Sequence, residues 1–453
     1  MSAVRAAVHQ TFSSLRVRNF RLYFVAQLIS VSGTWMQSVA QAWLVLHLSG
    51  SGVDLGIVVG LQFLPMLLFG PFGGLVADRV NKRRLLYLTQ SAGAVLALVL
   101  GTLVVTDAVQ LWQIYLMALL LGVVNVFDNP ARQTFMIEMV GREDLPNAVS
   151  LNTVIMNASR VVGPAIGGVI ITVFGLAVCF YVNAASFVAV LIGLTMMRAS
   201  ELHRTAPVAR ARGQVRDGFR YVWRTPSLRN PLLAVAVIGI FAYNFTVTLA
   251  LLAKGTFHGG AGTYAALTSC MGLGAVVGGL LAAHRARPTP RLLQGLALLF
   301  GALLAAVALA PTLLVAEILI VFMGAASIGF IATANATLQL TAEPAMRGRV
   351  MALYAMAFLG TTPIGAPLVG AIAQWTNPRV ALLTGAVATL ASAGLLMWRH
   401  QAGLRVDRSV EVVASEAVSS ASVSSAPDAD SESEARRIEA LAVEEAESES
   451  PVG

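Results

Sequence analysis

The sequence predicts an all-α membrane protein, twelve transmembrane helices in two six-helix repeats, and three observations carry that expectation. Apolar runs of about twenty residues follow one another along most of the chain, the length that a hydrocarbon core of about 30 Å asks of a helix. Arginines gather in alternate connections between those runs. Glycine-rich segments recur at matching places in the two halves. Of the 453 residues 57% are hydrophobic and only 12% charged, with a mean hydropathy of +0.74, a balance that no water-soluble domain of this size carries on its surface. A strand barrel would show weak alternation in segments of about ten residues instead.

Met1 to Phe20 is basic but lacks a short apolar region ending in a small-residue cleavage site, so the first span reads as uncleaved. Gly, Pro, Asn and charge then separate runs near 20–46, 53–77, 85–106, 111–135, 147–174, 176–197, 231–254, 262–284, 291–310, 312–338, 349–375 and 378–398. With the amino terminus inside, the inner segments collect Arg5, Arg16, Arg18 and Arg21, then Arg79, Lys82, Arg83 and Arg84, then Arg142. Eight arginines from Arg198 to Arg229 follow, then Arg285, Arg287, Arg291, Arg347 and Arg349, and finally Arg399, Arg405 and Arg408. The other side keeps only Lys254 and Arg379, so the positive-inside bias places both termini in the cytoplasm of a multi-pass inner or plasma membrane protein.

Residues 198–230 form the long polar interruption that halves the membrane part, giving a first half over 1–197, a cytoplasmic linker over 198–230 and a second half over 231–400. Inside the linker Val215, Phe219, Val222 and Trp223 repeat at helical spacing against Arg216, Arg220 and Arg224. That pattern suits a helix lying on the leaflet, or equally a solvated helix touching the bundle. Residues 401–453 read as a disordered acidic cytoplasmic tail, because a Ser, Ala and Glu-rich segment cannot bury enough apolar surface to offset chain entropy. From Ser409 onward eleven acids stand against Arg436 and Arg437, a net −9 that leaves +17 on the remainder, so the overall +8 says nothing of nucleic acid.

Gly73-Gly74-Leu75 closes span two and Gly278-Gly279-Leu280 closes span eight. Gly163-Pro164-Ala-Ile-Gly167-Gly168 in span five has its counterpart in Gly365-Ala-Pro367-Leu-Val-Gly370 of span eleven. Duplication of a six-helix unit is the simplest account, and it places a ligand site between the halves near the membrane midplane. In Gly74-Leu-Val-Ala-Asp78-Arg79-Val-Asn81-Lys82-Arg83-Arg84 the glycine lets a helix end pack closely and the acid suits a helix amino terminus or a base. Asn81 is placed to make the turn, being one of the few non-glycine residues that adopt a left-handed conformation at low cost.

This segment resembles the signature between helices two and three of the major facilitator superfamily, with Asn81 where that family usually has glycine. The segment Gly163 to Gly168 resembles the exporters' motif in helix five, and Trp35-Met-Gln37, Asp128-Asn-Pro130-Ala-Arg132, Asn147 to Asn152 and Arg347-Gly-Arg349 resemble the branch of the enterobactin exporter and related drug efflux proteins. The resemblance covers about residues 12 to 400. It implies the major facilitator fold, a monomer in the lipid bilayer, and secondary active export of a small organic molecule such as a siderophore, drug or secondary metabolite, with H+ as coupling ion. An importer, a lipid flippase or a transporter-like sensor shares the same fold. The resemblance further makes Asp78 a latch that meets the start of span eleven near Arg349 in the outward-facing state, with Gly74, Arg79 and Arg83 completing it; topology marking is the other reading of these arginines, and the preferred one for Lys82 and Arg84. Gly163, Pro164, Gly167 and Gly168 become a gating bend where span five meets the second half, or ordinary small-residue packing.

A charge near the bilayer centre costs about 2.5 to 3.5 kcal/mol, so four remaining charges stand out as substrate or proton sites: Asp128, Arg132, Arg160 and Glu317. Asp128 and Arg132 are four apart on one helix face and can neutralise each other. Arg160 either reaches Asp128 or faces a cavity and attracts an anionic part of the substrate, while Glu317 lies near the membrane surface. Trp35, Gln37, Gln41, Gln62, Asn125, Asn157, Asn183, Asn244 and Asn335 are candidates for lining that cavity, or for hydrogen bonds between helices. The six histidines are scattered at span ends and loops, Cys179 and Cys270 sit inside apolar runs, and no phosphate-binding Gly-x-x-x-x-Gly-Lys-Ser/Thr loop is present. No catalytic set, metal site or cofactor is expected.

Overall fold

The structure is a computed structural model that describes residues 13–203, 214–284 and 288–399; the acidic tail, Arg285 and Arg287 lie outside the described residues. In lipid a backbone amide finds no water, so apolar runs of this length close their hydrogen bonds within helices. The first half comprises α1 (Arg18–Ser49), α2 (Gly52–Arg79), α3 (Lys82–Val105), α4 (Leu111–Val140), α5 (Leu145–Phe174) and α6 (Leu176–Met196). A linker helix α7 (Gln214–Arg224) leads into α8 (Pro226–Phe241) and α9 (Phe245–Leu251), which together make the seventh span. Then follow α10 (Ala261–His284), α11 (Pro290–Ala308), α12 (Leu313–Thr341), the pair α13 (Arg347–Phe358) and α14 (Thr362–Trp375) that shares the eleventh span, and α15 (Pro378–Arg399).

Eleven of these spans are long and apolar enough to cross a membrane. The twelfth, α1, has the length but carries Gln27, Ser30, Gln37 and Gln41. All four are buried, so its polar side faces neighbouring helices and not lipid. Spans seven and eleven, expected to be continuous, are broken. At residues 242–244 the Asn244 Nδ2 donates to the carbonyl of Ile240 at 2.7 Å, competing with the helical ladder. At 359–361 the interruption precedes Pro363, whose ring and missing N–H disfavour an unbroken helix.

Asn81 is also corrected. Its φ of −64° and ψ of 112° are extended, and its side chain caps α3 by accepting the N–H of Arg84 at 3.1 Å. Asparagine is as well suited to an N-cap as to a left-handed turn, and here the orphan amides of α3 decide between them.

The two halves repeat each other at the level of contacts. Gly163 lies against the Ser32 carbonyl of α1, and Gly365 against the Ile240 carbonyl of α8, so each fifth helix packs a glycine on the first helix of its own half. Five residues later Gly168 faces Ala265 of α10 and Gly370 faces Gly52 of α2, so each fifth helix also packs a glycine on the second helix of the other half. A Cβ on Gly52 would sit 2.7 Å from the Gly370 carbonyl, and one on Gly56 would clash with the Ala366 carbonyl. These contacts occupy the half of α2 away from the arginine-rich turn. There the cations are spent on helix ends: Lys254 donates to the Leu46 carbonyl of α1, and Arg379 to the Ala310 carbonyl at 2.8 Å. Gln374 Oε1 accepts from Ser51 Oγ at 2.8 Å and from the Val53 N–H at 3.0 Å, capping α2 from the other half.

A Ser51→Cys/Gln374→Cys variant lacking Cys179 and Cys270 is expected to cross-link efficiently with a short bifunctional thiol reagent. Adding Gly56→Val should cut that yield by more than half, measured on denaturing gels after cleavage of the linker helix; an undiminished yield would show that close approach at Gly56 does not hold the seam.

Candidate functional site

A cavity of about 370 Å³ lies within the ring of first-half helices, reached on one side by Thr246 of α9. Trp35, Gln37, Gln41, Gln62, Asn125, Asn183, Asp128 and Arg132 line it. Asn157, Asn244, Asn335, Arg160 and Glu317 do not. Asn244 is spent on the break in span seven, Asn335 accepts from Gln339 at 2.6 Å, and Asn157 lies near Gly279 of α10. Glu317 borders a second groove along the α5 and α10 seam, beside Gly168 and Cys270. The cavity wall also includes Thr89, Gln90, Ser38 and Thr246, which sequence reasoning passed over. A glutamine inside the apolar run of span three was the signal that Gln90 offered.

Asp128 is 3% exposed, and both of its oxygens are engaged. Oδ2 pairs with Arg132 Nε, while Oδ1 accepts from Thr89 Oγ1 at 2.6 Å and Gln90 Nε2 at 2.7 Å. The carboxylate is thereby fixed in the cavity wall, with Arg132 as its counter-charge and not Arg160. Asn183 donates to Gln37 Oε1 at 2.6 Å and accepts from Ser186 at 2.9 Å, so it both lines the cavity and ties α6 to α1. Arg160 sits midway along α5, with its guanidinium 5.2 Å from the centre of the Trp35 ring. A desolvated cation–π contact is worth about 2 kcal/mol, which offsets most of the cost of the buried charge.

The Gly74 to Arg84 segment does several separate jobs. Lys82, read as a topology marker, is 8% exposed and forms a 3.0 Å ion pair with Glu138 at the end of α4, a residue sequence reasoning did not single out. Arg83 caps α6 through the Leu194 carbonyl at 2.6 Å and lies over the Tyr87 ring. Arg79 and Arg84 are exposed. Asp78 is half-buried, and no hydrogen bond or ion pair to it occurs among the described residues. Arg349, its expected partner, faces Asp217 of the linker helix at 3.7 Å and packs on Gly218. The seam between the halves is thus closed at the arginine-poor end, with the Asp78 contact unmade at the arginine-rich end. Gly163 and Gly167 pack on Trp35 and Met36 of their own half, leaving Gly168 as the glycine of this motif that meets the second half, while Pro164 is buried within α5.

The family model of transmembrane secretion effectors matches residues 9–439. The chain belongs to this family of the major facilitator superfamily. It is similar to the multidrug efflux pump Tap of Mycolicibacterium fortuitum, 31% identical over 46% of this chain and 53% of that protein. It is also similar to the enterobactin exporter EntS of Shigella flexneri, 25% identical over 79% of this chain and 86% of that protein. For several curated relatives the chain spans only 53% to 65% of their length. A bacterial homologue of the human lysosomal transporter Spinster, in an inward-facing and unoccupied conformation, shares the fold with a TM-score of 0.65, at 16% identity over 84% of this chain and 94% of that one.

The major facilitators are a superfamily of membrane transporters. Among the described residues no group of His, Cys, Asp and Glu could hold a metal ion. The Asp128–Arg132 pair is buried within the first half. Removing one partner of a buried pair costs about 3 to 5 kcal/mol, because the other charge is left uncompensated. Asp128→Asn is therefore expected to lower thermal stability by several degrees, and the double variant Asp128→Asn/Arg132→Gln to regain most of the loss. Equal losses in the single and double variants, measured by thermal unfolding in detergent, would show that the pair is not coupled.

Proposed function

We propose that this facilitator exports a small organic molecule from the cytoplasm across the plasma membrane, by alternating access and in exchange for H+. The reading rests on one observation, the seam between the halves. It is glycine-tight at the end that carries only Lys254 and Arg379, while the Asp78 contact is unmade at the end that carries the arginines. With the arginine-rich end in the cytoplasm, that conformation is the one that loads cargo from inside, and both termini are cytoplasmic. The six-helix halves meet through the linker, and one copy of the chain supplies the whole path. Export as the direction is supported by Tap and EntS, whose names describe efflux and export.

Alternating access requires the seam to open at one end as the other closes. Asp78 then approaches the amino-terminal end of α13, and Arg349 exchanges Asp217 for Asp78. Coupling falls to Asp128: its protonation weakens the bond to Arg132 and releases a cation into the cavity wall, while deprotonation restores the pair. A cargo group that takes the place of Arg132 on the Asp128 carboxylate then competes with the proton for it, which is what antiport requires.

A deletion strain and a strain carrying Asp78→Asn are expected to retain a compound that the wild type secretes, with the variant inserted at normal abundance. Comparison of spent medium and cell extracts by untargeted mass spectrometry reads this directly. Secretion at the wild-type rate by Asp78→Asn removes the latch, and a compound that the deletion strain fails to take up would make the chain an importer.

A further inference from the structure

Arg160 and Glu317 are the two of the four intramembrane charges named above that the transport cycle does not use, and the surroundings of Arg160 are unusual. It stands at the middle of α5, and Trp35, under its guanidinium, stands near the middle of α1. From the second half Tyr243, at the break in the middle of span seven, acts electrostatically on the guanidinium. Its backbone carbonyl meets Gly272 of α10, so Arg160 lies where the halves adjoin. Broken helices at the midplane are where carriers of this kind hold their ligands.

The charge has no counter-ion. Asp128 is taken by Arg132, no acid pairs with Arg160 among the described residues, and the Arg160 Nε is buried with no hydrogen-bond partner. Tyr243 does not supply one either, since its hydroxyl donates to the Ser327 carbonyl at 2.6 Å. Trp35 holds the guanidinium by its ring face, which fixes the group without neutralising it. In the second half Tyr243 stands edge-on to Phe358 at 5.3 Å, and Phe358 stacks on Tyr354 at 6.1 Å, an aromatic cluster packed on the core. A fixed cation with an unmet donor in one half and an aromatic cluster in the other select a ligand with both complements.

We propose that Arg160, Trp35 and the Tyr243 aromatic group form a subsite for an aromatic organic anion, a carboxylate or equivalent negative group carried on a planar ring. This rests on the reading of the chain as a carrier and is independent of the direction of transport. Arg160 binds the negative group and the aromatic cluster takes the ring, so the ligand joins the two halves at mid-membrane. It also supplies the counter-charge that the protein lacks there.

The test uses the purified full chain in lipid nanodiscs and three probes of one shape: 1-naphthoate, 1-naphthamide and 1-naphthylmethylammonium. By isothermal titration the wild type is expected to bind the carboxylate about ten-fold or more tighter than the amide, and the ammonium weakest, as a charged hydrogen bond gained without a competing internal partner implies. Arg160→Gln should abolish the preference while leaving affinity for the amide unchanged, and Arg160→Lys should keep part of it. Equal binding of the three probes by the wild type, no binding of the carboxylate, or a preference that survives in Arg160→Gln overturns the subsite. Should Arg160→Gln not be recovered folded, Trp35→Leu, which frees the guanidinium from its ring, must reduce the preference, and an unreduced preference overturns the proposal. Cargo retention in the deletion strain reports separately on export: export without anion preference defeats the subsite alone, and anion preference without export defeats the direction alone.

Discussion

Two six-helix bodies in a membrane have no hydrophobic effect to press them together, because lipid is as apolar as their side chains, so close van der Waals contact and hydrogen bonds must do it. In this chain glycine brings the contact down to backbone against backbone or against a single methyl group. Gly52 meets Gly370 and Gly168 meets Ala265, two related seams that bring the second helix of each half against the fifth helix of the other. Contacts of that kind do not stretch: a seam either seats or parts. The polar ties across it, Lys254 to the end of α1 and Gln374 to the start of α2, use helix ends whose amides and carbonyls need partners in any case.

The same economy governs charge. Lys82 with Glu138 and Asp128 with Arg132 are neutralised within the first half, so they travel with it as it moves. Arg83 and Arg379 are spent on helix carboxyl ends. Outside these pairs stand Asp78, with no partner among the described residues, Arg349, held loosely by the linker helix, and Arg160 over Trp35. The linker helix has a part in this, since Asp217 occupies the arginine that the latch would use. Its buried Val222 and exposed Phe219 and Trp223 split the apolar face between bundle and surroundings, so the helix touches the bundle and still presents an aromatic pair outward.

Span number, the repeat and the family were legible in the sequence because each rests on a pattern summed over many residues. Hydropathy missed the polarity of α1, whose glutamines serve neighbours and not lipid. The breaks at Asn244 and before Pro363 escaped notice because a polar residue or proline within an apolar run has the same composition whether it bends, breaks or lines a helix. Of the polar residues within the spans, Trp35, Gln37, Gln41, Gln62, Asn125 and Asn183 line the cavity, whereas Asn157, Asn244 and Asn335 lie elsewhere. Nothing local separates a polar group that bonds within its helix from one that faces a cavity. The ion pair of Lys82 was not legible for a related reason. Its partner Glu138 lies 56 residues further on, and only the packing of α3 on α4 brings the two together.

The central claim is that the seam is a two-position device, seated at one end of the molecule at a time. Pulsed electron spin resonance on the full chain in nanodiscs tests it, with one label pair at Ser49 and Thr376 and another at Asn81 and Glu343. In the resting protein the first pair should be short and the second long. Cargo or a change from neutral to acidic pH should lengthen the first and shorten the second together, giving two populations and no continuum. Distances that stay fixed at both ends, or that lengthen at both, would contradict the account.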